Sequence, residues 1–336
     1  MILVPKVSVA GKTHKGLVRP GNEDYLHLDG KNNVYAVCDG MGGHQAGEVA
    51  SMTASAFIGL AFNQFRKQLL DDPALAIDHV LPPNGELLLI SIRLANRTIF
   101  NRSIQDQKLS GMGTTIVAVT LEANIMSIAH VGDSRAYRLG KRELQPLTRD
   151  HSWVAEMQEA SDISPDDTDS FIGKNVITRA LGVKDTVQID YRIIRVQPGD
   201  IFILCSDGLC GFADDDEIFL VADKNRRDIH RMTDNLIQMA NDRGGMDNVT
   251  VVVFQILEVE ESQLPEIDVI TLPPETPSLL EVEDAWVTTL SESEVENESP
   301  EEAGSSAEKG NTLLMIAIFA LFAVVAVLVV YFSQAD

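Results

Sequence analysis

Four aspartates stand where apolar runs stop or start. Val34–Cys38 runs into Asp39-Gly40, Ile125–Val131 into Gly132-Asp133, and Ile201–Cys205 into Ser206-Asp207-Gly208. Asp247, in Gly244-Gly245-Met246-Asp247-Asn248, immediately precedes the run Val249–Leu257, and Glu23-Asp24 follows Arg19 closely. Carboxylates at the ends of neighbouring central strands converge, and uncompensated acids in one place repel. Such a group persists when it holds divalent cations. Carboxylate, carbonyl and water donors without a Cys/His cluster call for hard ions, Mg²⁺ or Mn²⁺, over zinc. Any one Asp-Gly pair is also ordinary turn chemistry, so decorated turns are the competing reading of these acids.

The runs that carry the acids, with Thr114–Leu121, are too short and too rich in β-branched residues to be helices. Two helices are predicted between them. Glu48 to about Gln68 places Ala50, Ala54, Phe57, Ala61 and Phe65 on one face, and Glu86 to about Gln105 does the same with Leu88, Ile92, Ala95 and Ile99. A third helical stretch, Arg226–Ala240, precedes the last strand. Strands in runs with helices in pairs predict an α+β layered domain rather than a βαβ repeat. Residues 158–174, rich in Asp and Ser, read as a mobile surface insertion.

At 336 residues the chain exceeds the usual single-domain size, and 45 % hydrophobic residues suffice for a core, which excludes a wholly disordered chain. A net charge of −23 argues against nucleic acid as a main partner, since phosphate backbones need clustered Lys and Arg. Much of that charge lies in residues 258–311, which hold sixteen acids, one base (Lys309) and five prolines. Such a segment cannot bury enough surface to offset its ordering entropy and reads as a disordered, self-repelling linker, with one apolar knot around Trp286. Cys38, Cys205 and Cys210 show no CxxC spacing and read as buried free thiols of a reducing compartment. No signal peptide is visible at the N-terminus. Thr312–Phe332 is twenty-one residues without a charge, Pro or Gly. At about 1.5 Å per residue it spans roughly 30 Å, the thickness of a hydrocarbon core, so it reads as a transmembrane anchor with a short tail at 333–336. The catalytic part, residues 1–257, then stays in the cytoplasm, and Lys309 agrees with the positive-inside rule.

The acids lie within a longer ordered set of motifs. Arg19-Pro20-Gly21-Asn22-Glu23-Asp24 is followed by Val37-Cys38-Asp39-Gly40-Met41-Gly42-Gly43-His44 and Gly111-Met112-Gly113-Thr114-Thr115. Val131-Gly132-Asp133-Ser134-Arg135, Leu147-Thr148-Arg149-Asp150-His151-Ser152, Asn175–Gly182, Ser206-Asp207-Gly208-Leu209 and Asp247-Asn248 complete it. From about Val9 to Gln255 the chain resembles the type 2C metal-dependent serine/threonine protein phosphatases in their bacterial form. The resemblance implies an αββα sandwich, a central antiparallel β-sandwich flanked by helix pairs, with a two-metal centre at one end. By the same resemblance Asp39 bridges both ions, Gly40 offers its carbonyl and Glu23 its carboxylate to the second, and Asp207 and Asp247 ligate the first. Asp24 supports the site through hydrogen bonds or bound water, Asp133 with Asp207 forms a weaker third site, and Arg19 binds the phosphate.

Hydrolysis of phosphoserine and phosphothreonine by a metal-activated water follows, without a covalent phosphoenzyme. Phosphorylated proteins are the implied substrates, and the implied role is to oppose a Ser/Thr kinase, itself a candidate membrane protein. Arg19 also reads as a surface ion pair with Glu23. Met41 stands where animal-type members place a His; His44 nearby is a candidate general acid, or else a loop-packing residue. Asp150-His151 reads as a turn cap before a helix at Ser152, and the acidic 161–175 segment as a flap that disfavours acidic phosphopeptides. Two other functions fit the same fold: a phosphatase of a stress or sigma-factor regulatory protein, and a non-catalytic membrane adaptor that binds phosphoproteins.

Overall fold

The structure, a computed structural model, describes residues 5–43, 46–64, 66, 81–160, 176–262 and 266–272. The chain divides into two units, Met1–Glu275 and Thr276–Asp336, and every described residue belongs to the first. His44, the 161–175 flap, Trp286 and the candidate anchor Thr312–Phe332 lie outside the described residues. Among the described residues no helix is long and apolar enough to cross a membrane.

Two antiparallel sheets form the centre. One orders β1 (Lys6–His14), β11 (Val249–Glu258), β10 (Ile201–Cys205), β7 (Arg135–Leu139) and β8 (Leu144–Pro146). The other orders β12 (Ile267–Leu272), β9 (Ile189–Arg195), β6 (Ile125–Val131), β5 (Ile116–Glu122), β3 (Val34–Met41) and β2 (Asp24–Asp29), with the two-residue β4 (Gly113–Thr114) paired to β3. The central strands read as unbroken apolar runs because both of their faces are buried. On β11, Val252, Phe254 and Ile256 point into the core between the sheets, and Val251 and Val253 point to the helices outside. Tyr35, Phe254 and Phe202 stack through that core with centroids 5.2 Å apart at each step.

Helices α1 (Ala46–Gln64) and α2 (Pro83–Gln105) cover the outer face of the second sheet. Ala50, Ala54, Phe57 and Ala61, and Leu88, Ile92, Ala95 and Ile99, are buried, as their spacing predicts. Between β8 and β9 lies α3 (Trp153–Ala160). The short α4 (Asp207–Cys210), with α5 (Asp215–Lys224) and α6 (Ile229–Asp242), covers the first sheet. The four layers of an αββα sandwich are therefore present. All three cysteines are buried and free.

Three expectations change. The predicted helix Arg226–Ala240 is α6, which starts later, at Ile229, because Asp228 caps it through Arg231 N–H at 3.0 Å, and a helix not expected, α5, precedes it behind the capping box of Asp214 with Glu217. The cap of α3 is Ser152, whose hydroxyl accepts from Ala155 N–H at 3.3 Å, while Asp150 and His151 point elsewhere. Residues 267–272, expected as part of the linker, form the edge strand β12, and β11 runs to Glu258. The edge of β9 offers β12 backbone partners that composition alone does not reveal.

Candidate metal centre

Register brings the first two acids together. Antiparallel pairing sets Asp24 at the start of β2 directly opposite Asp39 near the end of β3. Asp39 is held by its own backbone: its N–H donates to Thr115 Oγ1 at 3.1 Å, and its carbonyl accepts from Thr115 N–H at 2.8 Å and from the Thr114 hydroxyl at 2.9 Å. Thr115 Oγ1 also lies 2.7 Å from Ser134 Oγ, which ties this strand end to the Gly132-Asp133 turn after β6. Asp207 opens α4 at the end of β10, and its carboxyl is in hydrogen-bond contact with that of Asp39. Asp247 lies just before β11 and accepts from Arg19 Nη2 at 2.7 Å. The Arg19 ion pair is thus with Asp247, and that bond raises the pKa of the guanidinium further.

The Arg19 loop is fastened by Asn248. Its amide donates to the carbonyls of Lys15 and Gly21, each at 2.9 Å, and its Oδ1 accepts from Glu23 N–H at 2.8 Å. Close backbone approach sets the Glu23 side. Gly40 N–H donates to the Glu23 carbonyl at 3.1 Å, and a Cβ on Gly40 would lie 2.1 Å from the Gly47 carbonyl oxygen. A Cβ on Gly47 would lie 2.8 Å from the Glu23 carboxyl carbon, so only glycine fits at either position.

These carboxyls disturb one another as unpaired like charges do. Burial, then the negative fields of Asp24 and Asp207, hold Asp39 well above the usual carboxylate range. Burial pushes Asp24 up to about 7, against hydrogen bonds from Thr250 and Ser206. Burial and the field of Asp207 push Asp133 up to about 7. Glu23 and Asp207 are raised too, first by burial. Glu23 Oε1, Asp24 Oδ1 and Asp133 Oδ1 are buried without a hydrogen-bond partner. Three orphaned carboxylate oxygens among mutually repelling acids fit hard divalent cations, and the all-oxygen donor set fits Mg²⁺ or Mn²⁺.

The structure brings together Arg19, Glu23, Asp24, Asp39, Gly40, Asp133, Asp207 and Asp247. His44 lies outside the described residues, so its part as proton donor rests on the sequence alone. Sequence reasoning missed the groups that hold the acids in place. Ser206 Oγ donates to Asp24 Oδ2 at 2.8 Å and accepts from Thr250 N–H at 3.0 Å. Gly47, Asn248 and Thr115 are further examples; Ser206 and Asn248 adjoin metal-ligand candidates in sequence, which is the signal that points to them.

The same residues fall inside a recognised family. The family model for protein phosphatase 2C matches residues 11–252. Serine/threonine phosphatase stp of Listeria monocytogenes serotype 4b is 36 % identical over 247 residues, which cover 73 % of this chain and 94 % of that protein. Among solved structures, the Mycobacterium tuberculosis serine/threonine phosphatase PstP/Ppp matches with a TM-score of 0.65 at 31 % identity, covering 76 % of this chain and 100 % of that one. The catalytic domain of PstP in complex with 2 manganese ions matches with a TM-score of 0.63 at 30 % identity, covering 75 % of this chain and 99 % of that one. Because the matched stretch encloses every acid from Glu23 to Asp247 together with the strand ends that aim them, the chain belongs to the protein phosphatase 2C family.

Proposed function

We propose that this enzyme's metal-dependent hydrolysis of phosphoserine and phosphothreonine on proteins runs through the Glu23, Asp39, Asp207 and Asp247 carboxylates, and that it reverses the work of a Ser/Thr kinase. The observation that carries the assignment is the convergence of raised, partly orphaned carboxyls beside an arginine. Mn²⁺ or Mg²⁺ is the cofactor; when bound it supplies a water acidic enough to be hydroxide near neutral pH, and positive charge against the phosphate oxygens.

The protein's part is to hold and orient. Asp39, Asp207 and Asp247 would hold one cation, and Asp39, Glu23 and the Gly40 carbonyl would hold the other. Asp24, bonded to Ser206, supports the centre from beneath. Asp133 with Asp207 is the candidate for a weaker third cation. Arg19 is anchored at one nitrogen by Asp247 while about half of its side chain, 51 %, stays exposed. Its planar fork offers a phosphate two parallel donors, which a lysine cannot do. No serine or cysteine nucleophile is required: all three cysteines are buried and free, and burial raises the Cys38 thiol far from its reactive form.

Initial rates on a phosphothreonine peptide test this. Turnover is expected with Mn²⁺ and absent with EDTA, and Arg19→Lys is expected to raise KM about tenfold. A folded, Mn²⁺-bound protein without turnover would instead be a phosphoprotein-binding adaptor.

A membrane address belongs to the same proposal. Thr312–Phe332 is uncharged and long enough to span, with the catalytic unit on the cytoplasmic side. Anchoring raises the effective concentration of other membrane-bound proteins, a membrane Ser/Thr kinase among them. The full chain is expected in the membrane fraction after carbonate washing, and residues 1–275 in the supernatant; equal partition of the two would refute the anchor.

A further inference from the structure

The buried pair His151 and Asp190 has no part in the reaction above, yet it is bonded to the turn that presents Asp133. Gly132 N–H donates to His151 Nδ1 at 3.1 Å, and the backbone N–H of His151 returns a bond to the Gly132 carbonyl at 2.9 Å. Since Nδ1 accepts, the ring proton is assigned to Nε2, which faces Asp190 Oδ2 at 3.2 Å. Asp190 Oδ1 accepts from Arg179 Nη1 at 2.9 Å and from the Thr271 hydroxyl at 2.8 Å. His130 stacks on His151 with centroids 4.6 Å apart and bonds through Nε2 to the Arg149 carbonyl at 2.8 Å.

His130, His151 and Asp190 have the composition of a cation site, with candidate ligand atoms within 4.8 Å of one another. The bonding argues otherwise: Gly132 N–H occupies Nδ1, and the proton assigned to Nε2 leaves that nitrogen no lone pair for a cation and points at Asp190 Oδ2. Asp190 Oδ1 already accepts from Arg179 and Thr271, with Arg179 Nη1 also 3.3 Å from Nε2. The group is a hydrogen-bond relay. At one end is Thr271, opposite Asp190 in the β12–β9 pairing, and at the other is Gly132, held at φ +110°. A Cβ on Gly132 would lie 2.6 Å from the Thr115 side chain, so the turn has little room to re-form in another shape.

We propose that Asp190 and Thr271 are positioning residues for the metal centre: through His151 they fix the Gly132-Asp133 turn, so that docking of β12 sets how firmly Asp133 is presented to its cation. This rests on the reading of Asp133 as a cation ligand. It makes β12, the edge strand that closes the second sheet, part of the metal site's support, as hydrogen-bond partners behind metal ligands are elsewhere. Burial alone would raise the Asp190 pKa, but the bonds from His151 and Thr271 outweigh it and hold the carboxylate ionised.

Mn²⁺ binding to the full chain, followed by titration calorimetry and by the electron paramagnetic resonance of free Mn²⁺, tests the proposal without using turnover. Thr271→Val keeps the β-branched shape and removes only the hydroxyl. Thr271→Val and Asp190→Asn are each expected to weaken the weakest Mn²⁺ step about tenfold and to leave the tighter steps within about twofold. In an Asp133→Asn background, which removes that step, Thr271→Val is expected to change nothing further. Unchanged isotherms in both variants, a lower melting temperature with no change in binding, or an equal effect of Thr271→Val with and without Asp133 would each overturn the proposal. If Asp133→Asn removes a step that Thr271→Val does not touch, the relay falls and Asp133 stands; if Asp133→Asn leaves binding intact, both fall. Should Asp190→Asn fail to fold, Thr271→Val, at an exposed edge-strand residue, decides alone.

Discussion

Asp39→Asn is expected to lower metal-dependent kcat/KM about a thousandfold and, in the same protein, to raise the melting temperature measured without cations. The two effects share one cause. Asp39 sits where the fields of Asp24, Asp207 and Asp133 meet, and its carboxyl touches that of Asp207. Asparagine keeps the shape and the backbone bonds to Thr114 and Thr115 while exchanging a repelled acid for a neutral group that donates to Asp207. Relief of about 1 kcal/mol of like-charge repulsion raises the melting temperature of a domain this size by roughly 2–4 °C. Cation binding loses its central carboxylate at the same time. A purely structural lesion would move both quantities down, so the opposite signs identify a site that trades stability for function. Turnover within tenfold of wild type at saturating Mn²⁺, or a lower cation-free melting temperature, would refute this role.

The acids were legible because each closes or opens a strand, and the strands are legible because burial on both faces makes them continuous apolar runs. Val34–Cys38 and Ile201–Cys205 point straight at Asp39 and Asp207. Strands with one wet face were not legible: β2 reads Asp-Tyr-Leu-His-Leu-Asp with only its first residue fully buried, and its pairing with β3 is what sets Asp24 against Asp39. β12 carries exposed Val269 and Ile270 inside an acidic stretch, so composition argued for a linker where the open edge of β9 supplied a partner. At the site itself, charge and position reveal ligands, but the groups behind them are neutral and distant in sequence. Asn248 fastens a loop more than 220 residues away, and Gly47 reads as an ordinary helix start until Gly40 and Glu23 close on it. Motif order carried what local pattern could not, because it preserves residues whose reason for being there is three-dimensional.

Removing the cations is expected to make stability fall steeply with rising pH near neutrality. In the unfolded chain these aspartates titrate at the ordinary 3.8, but folded and without cations Asp24 and Asp133 titrate at about 7, and Asp39 is raised well above the ordinary value. Over that interval the folded chain holds protons that the unfolded chain has released, so the unfolding free energy drops as pH rises. The stabilisation is whole below the unfolded value and is lost through about pH 7. His130, lowered to about 4 chiefly by burial, works in the opposite direction, but mainly below about 6.5, where unfolded histidine gains its proton. Above pH 6.5 that opposition, shared by His27, fades within about one unit, so the carboxyls dominate up to pH 8. Asp24 and Asp133 together lose about 1.5 kcal/mol, roughly 3–6 °C in melting temperature. Saturating Mn²⁺ should flatten or reverse this slope, because the ions take the place of the protons and bind better as the carboxylates ionise. Melting curves at pH 6.5, 7.2 and 8.0, in EDTA and in Mn²⁺, read both slopes. Parallel slopes would mean that the raised carboxyls and the cation site are different groups, and the assignment of Asp24, Asp39 and Asp133 to the metal centre would fail.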